Sequence, residues 1–179
     1  MNFETERLVL RPWREDDAEE LYRYACDPDV GPNAGWAVHT DVENSREIIR
    51  NILSAEGTFA VVLKETGLPV GSIGIMTDKK AGFGEDEREI GYWLGKPYWG
   101  RGLIPEAVNE CLRYCFEELG CSRVWCRYYD GNLKSKRVQE KCGFRYHHTE
   151  TVDYLPVPGE KRTCRVSALL REDWEKRVK

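Results

Sequence analysis

Two glycines that lie one residue apart, Gly100 and Gly102, follow a predicted strand and precede the longest predicted helix. Backbone N–H groups at the start of a helix can bind a phosphate when no Cβ atom blocks their approach. Lys96 and Arg101 add positive charge to this stretch. The dinucleotide fingerprint is excluded because Pro105 occupies its third small-residue position, and the P-loop is excluded because no Gly-Lys-Ser/Thr is present. The spacing therefore predicts a phosphate-binding loop of another kind, with a simple glycine turn as the alternative.

A second polar motif follows the next predicted strand. Asn132 and Ser135 open a short helix that Gly143 ends, and Phe144 begins another strand. The Asn132 side chain can either bind a ligand or cap the helix. The helix also carries four basic residues, of which we expect one or two to contact a ligand and the others to face solvent. These basic residues are Lys134, Lys136, Arg137 and Lys141.

Together, the Tyr98–Gly102 loop and the Asn132–Phe144 segment resemble the GNAT superfamily of N-acetyltransferases. The strand Glu89–Leu94 and the opening segment Thr5–Trp13 are most similar to its RimJ/RimL-type branch, which acetylates N-terminal amines of ribosomal proteins and includes members with other amine substrates. The resemblance extends from about Thr5 to Trp174. It implies acetyl-CoA as cosubstrate, no metal, and an α/β fold whose mixed, mostly antiparallel sheet of about seven strands has a splayed parallel pair and flanking helices.

Two positions depart from the family pattern. Pro97 stands where the loop usually begins with glutamine or arginine, and proline has no N–H to donate. We expect one hydrogen bond to the pyrophosphate to be missing at Pro97. The positive charge of Lys96 or Arg101 would compensate for it. Gln139 stands seven residues after Asn132, where the family often has a tyrosine that acts as general acid. Because an amide gives up no proton at a useful pH, the acid role falls to another group.

The resemblance assigns roles to individual residues. Ser135 would donate a hydrogen bond to the departing thiolate, and Glu89 would be the general base for the amine. Other candidates for the base are Glu85, Asp86, Glu87 and His39. The expected acetyl-CoA-binding residues are Trp93, Leu94, Tyr98, Trp99, Gly100, Arg101, Gly102, Asn132, Ser135 and Arg137. The expected acceptor-binding residues are Trp36, His39 and Tyr92.

The reaction implied by the resemblance is transfer of an acetyl group from acetyl-CoA to a primary amine by direct attack in a ternary complex. The acceptor is either a protein N-terminal amine or a small molecule. The acidic residues between Asp78 and Glu89 would attract a cationic amine. The weakened loop at Pro97 and the missing tyrosine also suit a non-catalytic acetyl-CoA sensor, which is the alternative from another class of protein. The expected partner is the amine acceptor. The sequence leaves open whether the protein forms a homodimer.

The elements that position these residues follow from hydrophobic periodicity. Strands and helices alternate over one predicted domain, residues 1–179, and a capping box at Thr40 and Glu43 predicts a helix start. The predicted helices are Glu15–Cys26, a helix from Thr40, Leu103–Leu119 ended by Gly120, and Leu133–Lys141. The predicted strands are Thr5–Pro12, Thr58–Lys64, Val70–Met76, Glu89–Leu94, Ser122–Tyr128, Phe144–Val152 and Thr163–Leu170.

Composition limits the class of protein. The chain has 179 residues, a net charge of −4 and seven cysteines. The charge disfavours a nucleic-acid partner, and no apolar run approaches the roughly 20 residues of a membrane span. An odd cysteine count without a signal-peptide pattern indicates free thiols in the cytoplasm. Zinc is disfavoured because there is no Cys-x-x-Cys pair and because Cys111 and Cys115 lie on an apolar helix stripe.

Overall fold

The structure is a computed structural model that describes residues 1–77 and 83–178. The strands are β1 (Phe3–Glu4), β2 (Leu8–Arg11), β3 (Thr58–Leu63), β4 (Leu68–Met76), β5 (Glu87–Leu94), β6 (Arg123–Tyr129), β7 (Arg145–Asp153) and β8 (Lys161–Leu170). The helices are α1 (Ala18–Ala25), α2 (Gly31–Ala34), α3 (Val42–Ile48), α4 (Leu103–Arg113), α5 (Leu133–Cys142) and α6 (Arg171–Val178).

Eight strands form one mixed sheet in the order β1-β2-β3-β4-β5-β6-β8-β7. The mixed α/β class and the mostly antiparallel sheet are confirmed. The sheet has one strand more than the expected seven, because Phe3 and Glu4 pair with Leu10 and Val9 as a separate antiparallel strand. The strand predicted at Thr5–Pro12 is shorter than expected, since only Leu8–Arg11 pairs with β3.

One prediction about a helix start is wrong, and two helices were not predicted. The predicted capping box at Thr40 and Glu43 is wrong: the N-cap of α3 is Asp41, whose carboxylate accepts from the Asn44 N–H at 2.8 Å. A carboxylate one residue closer to the first helical turn reaches the free N–H groups better than the threonine hydroxyl. The short helix α2 and the final helix α6 were not predicted, because neither has a clear apolar stripe.

The chain groups into two compact units. The first comprises Met1–Gly74 and Tyr92–Ala107, and the second comprises Ile75–Gly91 and Val108–Lys179. The single domain expected from the length stays a prediction. The first unit contains a core cluster of buried residues from α1, β3 and the segments that follow β2 and α3. Its members are Trp13, Ala18, Leu21, Ala25, Ile49, Ala60 and Val62.

In the second unit, the long helix predicted at Leu103–Leu119 changes character near its end. After Arg113 the chain continues as a π-helical turn, Tyr114–Glu118, and Gly120 follows with a φ of +70°. Phe116 is fully buried here, and its ring packs against Trp174 of α6 with centroids 5.2 Å apart. Burial of these aromatic rings stabilises the end of the helix.

The parallel pair predicted in the sheet is β5 with β6. Its ladder joins Glu87, Arg88 and Glu89 of β5 to the first three residues of β6 and ends there, although both strands continue. The remainder of β6 pairs with β8 on its other side. A parallel ladder of three residues agrees with strands that diverge, as the family resemblance implies.

All seven cysteines are free, and Cys26 is the exposed one; the other six are buried. Among the described residues, no group of three or more His, Cys, Asp or Glu side chains could hold a metal ion. Within residues 1–77 and 83–178, no helix has the length and apolarity to span a membrane.

Candidate active site

The loop that precedes α4 turns at two glycines. Gly100 and Gly102 both have a φ of +77°, a left-handed conformation that side chains with a Cβ atom rarely adopt. A Cβ atom on Gly100 would meet no heavy atom within 4 Å and would project into open space. Within the described residues, the N–H groups of Gly100, Arg101 and Gly102 donate to no protein acceptor. The loop therefore presents free N–H groups at the start of an 11-residue helix, an arrangement that fits a phosphate.

Glu106 in the first turn of α4 joins the loop to the N-terminal segment. Its carboxylate accepts hydrogen bonds from the Thr5 hydroxyl at 2.5 Å, the Arg7 backbone N–H at 2.8 Å and Arg7 Nε at 2.7 Å. Arg7 Nη1 also donates to the Arg101 carbonyl at 2.9 Å. Burial alone would raise the pKa of Glu106, but the hydrogen bonds and the Arg7 charge outweigh it and lower the pKa. Arg7 thus holds the glycine loop at Arg101 and the first turn of α4 at Glu106.

The two cations predicted to compensate for Pro97 have different surroundings. Lys96 forms an ion pair with Asp29, and the hydrogen bond to that carboxylate raises the pKa of Lys96. The Arg101 guanidinium is exposed and lies 5.5 Å from the centroid of the Tyr98 ring. Among the described residues no carboxylate pairs with Arg101. Arg101 is therefore the better placed of the two to meet an anion.

Three of the predicted cofactor residues also shape the loop. The Tyr98 hydroxyl hydrogen-bonds the Tyr24 hydroxyl at 3.2 Å, and burial together with this bond raises the pKa of Tyr24 to about 12. Gly95 lets the two rings meet, because a Cβ atom there would lie 2.7 Å from the Tyr24 ring. Trp99 Nε1 donates to the carbonyl of buried Leu94 at 2.8 Å.

Aromatic residues predicted for both substrates lie together in the first unit. The Trp36 ring packs against His39 and Trp93, with centroids 5.1 and 5.6 Å apart. His39 is buried, shares a 2.8 Å hydrogen bond between Nδ1 and Ser45 Oγ, and has its pKa lowered by burial. Trp93, predicted to bind the cofactor, therefore contacts Trp36, a predicted acceptor residue. Tyr92 precedes Trp93 in β5, where successive side chains point to opposite faces, so its side chain lies on the other face of the sheet.

In the second unit, α5 carries the Asn132 motif. The Asn132 Oδ1 atom accepts from the Ser135 N–H at 3.1 Å, so this asparagine caps the helix. Its side-chain NH₂ group has no acceptor among the described residues and remains available to a ligand. Ser135 is half-buried, and Arg137 is exposed without an ion pair to any described residue. The helix ends at Gly143, where a Cβ atom would lie 1.4 Å from Arg177.

Glu89, the predicted base, lies in a network of charges in the second unit. It is buried, and both carboxylate oxygens accept from Arg127, from Nε at 2.7 Å and from Nη2 at 2.5 Å. Arg127 also donates to Glu150 at 3.1 Å. The hydrogen bonding of Arg127 to the Glu89 carboxylate is the main reason that the pKa of Arg127 is raised. Sequence reasoning missed Arg127, although an arginine two residues beyond the β6 end of a parallel ladder could have suggested a partner for Glu89.

The other acidic candidates have different environments. The Glu87 carboxylate accepts hydrogen bonds from Trp125 Nε1 at 2.8 Å and from the Gly84 N–H at 3.0 Å. Both contacts have a structural role. Glu85 and Asp86 are exposed, and a hydrogen bond from Ser122 is the main cause of the lowered pKa of Asp86. Asp78, the first acid of the predicted loop, lies outside the described residues.

The first unit thus has a glycine loop with free N–H groups at the start of α4, and the second has a capped helix with polar side chains and a buried carboxylate. The sequence from residue 7 to residue 145 matches the family described as the acetyltransferase (GNAT) domain. Because this match covers more than half of the chain, the protein belongs to the GNAT acetyltransferase family. Members of this family use acetyl-CoA, and the chain is an N-acetyltransferase of the acyl-CoA-dependent type.

Individual relatives narrow the branch. The uncharacterized N-acetyltransferase p20 of Bacillus licheniformis is 35% identical over 147 residues, which cover 79% of this chain and 80% of that protein. The [ribosomal protein uS5]-alanine N-acetyltransferase of Escherichia coli (strain K12) is 29% identical over 85 residues, 48% of this chain and 43% of that protein. The crystal structure of a GNAT-family acetyltransferase from Bacillus anthracis has a TM-score of 0.84 and 28% identity, and the match covers 96% of this chain and 99% of that chain. The resemblance to the RimJ/RimL-type branch is confirmed.

Proposed function

We propose that this protein transfers an acetyl group from acetyl-CoA to a protein N-terminal amine by direct attack in a ternary complex. Bound acetyl-CoA supplies an activated thioester. The observation that carries the proposal is the loop at Gly100 and Gly102, where free N–H groups and open space meet at the start of α4. The pyrophosphate would accept hydrogen bonds from these N–H groups and interact with the positive end of the helix dipole.

Side chains would complete the binding of the cofactor. Arg101 and Arg137 are exposed cations without carboxylate partners among the described residues, so each can meet a phosphate. The Asn132 NH₂ group would donate to an amide carbonyl of the pantetheine arm, because its oxygen already caps α5. Trp93, Leu94, Tyr98 and Trp99 would complete the cofactor site. The Ser135 hydroxyl would donate a hydrogen bond to the departing sulfur.

The amine must lose a proton, and we propose Glu89 as the base. A carboxylate has about four acceptor positions, and Arg127 fills two of those on Glu89. Two remain for water, so a proton can reach Glu89 through an ordered water rather than by direct contact with the amine. Arg127 holds the carboxylate in a fixed orientation through these two hydrogen bonds. His39 stays one of the other candidates; burial lowers its pKa and so favours the neutral imidazole, the form that can accept a proton.

The similarity to ribosomal-protein N-acetyltransferases supports an N-terminal amine as the acceptor class. The Escherichia coli relative acts on the alanine of a ribosomal protein, which favours an N-terminal amine here. Trp36, His39 and Tyr92 would contact the acceptor, and the exposed carboxylates Glu85 and Asp86 would attract a cationic amine. A small-molecule amine is the alternative within the same reaction.

Two measurements test the function together. Calorimetry with acetyl-CoA measures binding, and thiol release with a panel of amines measures transfer. The panel contains peptides with free N-termini, the same peptides with acetylated N-termini, polyamines, aminoglycosides and free amino acids. We expect binding, and thiol release with the free N-terminal peptides. Thiol release with a small amine and with no peptide would show that the acceptor is a small molecule. Binding of acetyl-CoA without thiol release in the presence of any amine would show that the protein is a non-catalytic sensor.

Glu89→Gln tests the base. We expect kcat to fall about 100-fold, the lower end of general-base effects, with the largest loss at low pH where most of the amine is protonated. The variant also disturbs Arg127, so Glu150→Gln serves as the matched control that alters the other carboxylate partner of the same arginine. An unchanged pH–rate profile for Glu89→Gln would assign the base to another residue.

A further inference from the structure

Two cysteines meet where the π-helical turn after α4 ends. Gly120 leaves the helix with a φ of +70°, and the Cys121 N–H donates to the Cys115 carbonyl at 2.9 Å. When a helix ends at a left-handed glycine, the residue after the glycine commonly packs back onto the last turn. Cys121 accordingly lies against Cys115, and the two thiols share a hydrogen bond.

The pair lies just below the surface of the second unit. Cys115 and Cys121 are fully buried, but Gly120 and Ser122, on either side of Cys121, are exposed. Helix ends open locally at a lower free energy than the core of a protein does. Opening of this one turn therefore admits a small uncharged molecule to Cys121, while the rest of the fold stays intact.

Cys121 is the more reactive of the two thiols. Its pKa is lowered to about 7 by the hydrogen bond with Cys115 and by the charges of Arg88 and Arg171, although burial opposes the shift. The same hydrogen bond, together with burial, raises the pKa of Cys115. Because the thiolate is the nucleophilic form of cysteine, Cys121 reacts first with an oxidant, and Cys115 remains beside it as a protonated thiol.

We propose that Cys115 and Cys121 are a site of reversible oxidation, at which hydrogen peroxide produces an intramolecular disulfide. This inference does not depend on the proposed transfer reaction. The Cys121 thiolate attacks one oxygen of the peroxide, the O–O bond breaks, and hydroxide leaves and takes a proton to become water. Cys121 is then a sulfenic acid.

The second step consumes the Cys115 thiol. Its sulfur attacks the sulfur of Cys121, the S–S bond forms and the S–O bond breaks. The hydroxyl group leaves with the Cys115 proton as a second water. In total, two electrons pass from the sulfur atoms to the peroxide oxygens, and a thiol reductant such as dithiothreitol restores both thiols by disulfide exchange.

Trypsin isolates the pair for the test. Cleavage after Arg113 and Arg123 yields the peptide Tyr114–Arg123, which contains Cys115 and Cys121 and no other cysteine. The protein is treated with hydrogen peroxide, the peroxide is removed with catalase, and the remaining thiols are alkylated in denaturant before digestion. We expect mass spectrometry to show this peptide without alkyl groups and lighter than the reduced peptide by two hydrogen atoms. Treatment with dithiothreitol before alkylation should restore two alkylated cysteines.

Cys111→Ala is the matched control. Cys111 is equally buried, one helical turn before Cys115, and it lies in the preceding tryptic peptide. This variant should form the disulfide at about the rate of the parent. Cys115→Ala should form none and should keep Cys121 as a sulfenic acid, which dimedone traps. Cys121→Ala should take up at least about tenfold less dimedone at Cys115, because the raised pKa leaves little thiolate there.

The parent protein alone decides the proposal, so the result does not depend on the folding of a variant. Exposed Cys26 reports that the peroxide dose was sufficient. If Cys26 is oxidised while the peptide Tyr114–Arg123 still carries two alkyl groups, the pair is not an oxidation site and the proposal is overturned. A bridge from Cys115 or Cys121 to a cysteine in another peptide would overturn it as well. The unfolding midpoint of each variant, measured without peroxide, shows whether that variant is folded.

Discussion

The loop before α4 and the start of α5 offer hydrogen-bond donors in opposite ways. In the loop the backbone N–H groups of Gly100–Gly102 are free, and the surrounding side chains, Arg7 and Glu106, are used to hold the turn. In α5 the Ser135 N–H already donates to the Asn132 side-chain oxygen, and the Asn132 NH₂ group is a side-chain donor without a partner among the described residues. The two regions therefore respond to different kinds of substitution.

The difference has a physical cause. A diphosphate carries several anionic oxygens, and a row of N–H groups at a helix start suits such a diffuse charge. A single sulfur atom requires one or two donors at defined positions, which side chains on a rigid helix provide. The loop should fail when any Cβ atom is added, whereas α5 should tolerate changes that keep the shape of the side chain and lose only one donor.

Gly100→Val is expected to have the largest effect. A side chain at this position projects into open space in front of the free N–H groups, so acetyl-CoA affinity should fall at least about 100-fold. Part of the change is backbone strain of about 1–2 kcal/mol in the left-handed conformation. Calorimetry with acetyl-CoA and chemical denaturation separate the two contributions.

Gly67→Val is the matched control for that variant. Gly67 also has a positive φ, +70°, and open space around its Cβ position, and it belongs to the same unit but not to the loop. It should lose similar stability and retain acetyl-CoA affinity. If Gly100→Val binds acetyl-CoA as well as Gly67→Val does, the loop is not the phosphate site and the contrast with α5 disappears.

Ser135→Ala should have an intermediate effect. It removes one side-chain donor from α5 and leaves the backbone N–H that Asn132 caps, so kcat should fall about tenfold. The KM for acetyl-CoA and the free energy of unfolding should change little. Steady-state kinetics and denaturation measure these quantities, and Asn132→Ala, which loses the cap, should instead destabilise the protein by about 1 kcal/mol. An unchanged kcat would remove Ser135 from the reaction.

Glu106→Gln should have the smallest effect on function. It weakens the contact that holds Arg7 against the loop, so acetyl-CoA affinity should fall about threefold and the free energy of unfolding by about 1–3 kcal/mol at pH 7. Because the pKa of Glu106 is lowered in the folded protein, its contribution is present above the unfolded pKa of about 4.3 and is lost as the pH falls through the folded pKa. Denaturation at a series of pH values should show the two proteins converging below pH 4. A stability difference that stays constant down to acidic pH would mean that the charge of Glu106 is not what stabilises the loop.

The sequence predicted the backbone of these two regions but not the long-range contacts of their side chains. The strand–loop–helix around Gly100 and the helix end at Gly143 follow from glycines at fixed positions, because only glycine favours a positive φ. The contacts of Arg7 with Glu106 and of Arg127 with Glu89 join residues 99 and 38 positions apart, and no local pattern encodes such pairs. The Gln139 side chain is buried, and its amide makes no hydrogen bond with a described residue; this isolation is likewise a property of packing, which periodicity does not report.

The distribution of the cysteines has a practical consequence for measuring acetyl transfer. Reagents that detect released coenzyme A by its thiol also react with accessible protein thiols, and Cys26 is the exposed one. Burial removes the other six from solvent and raises the pKa of Cys142 and Cys164 to about 11. A native sample should therefore show a background of one labelled equivalent per chain, and Cys26→Ser should remove it. The same reagent should count seven equivalents once the chain unfolds, so the assay background doubles as a record of how much of the sample is folded.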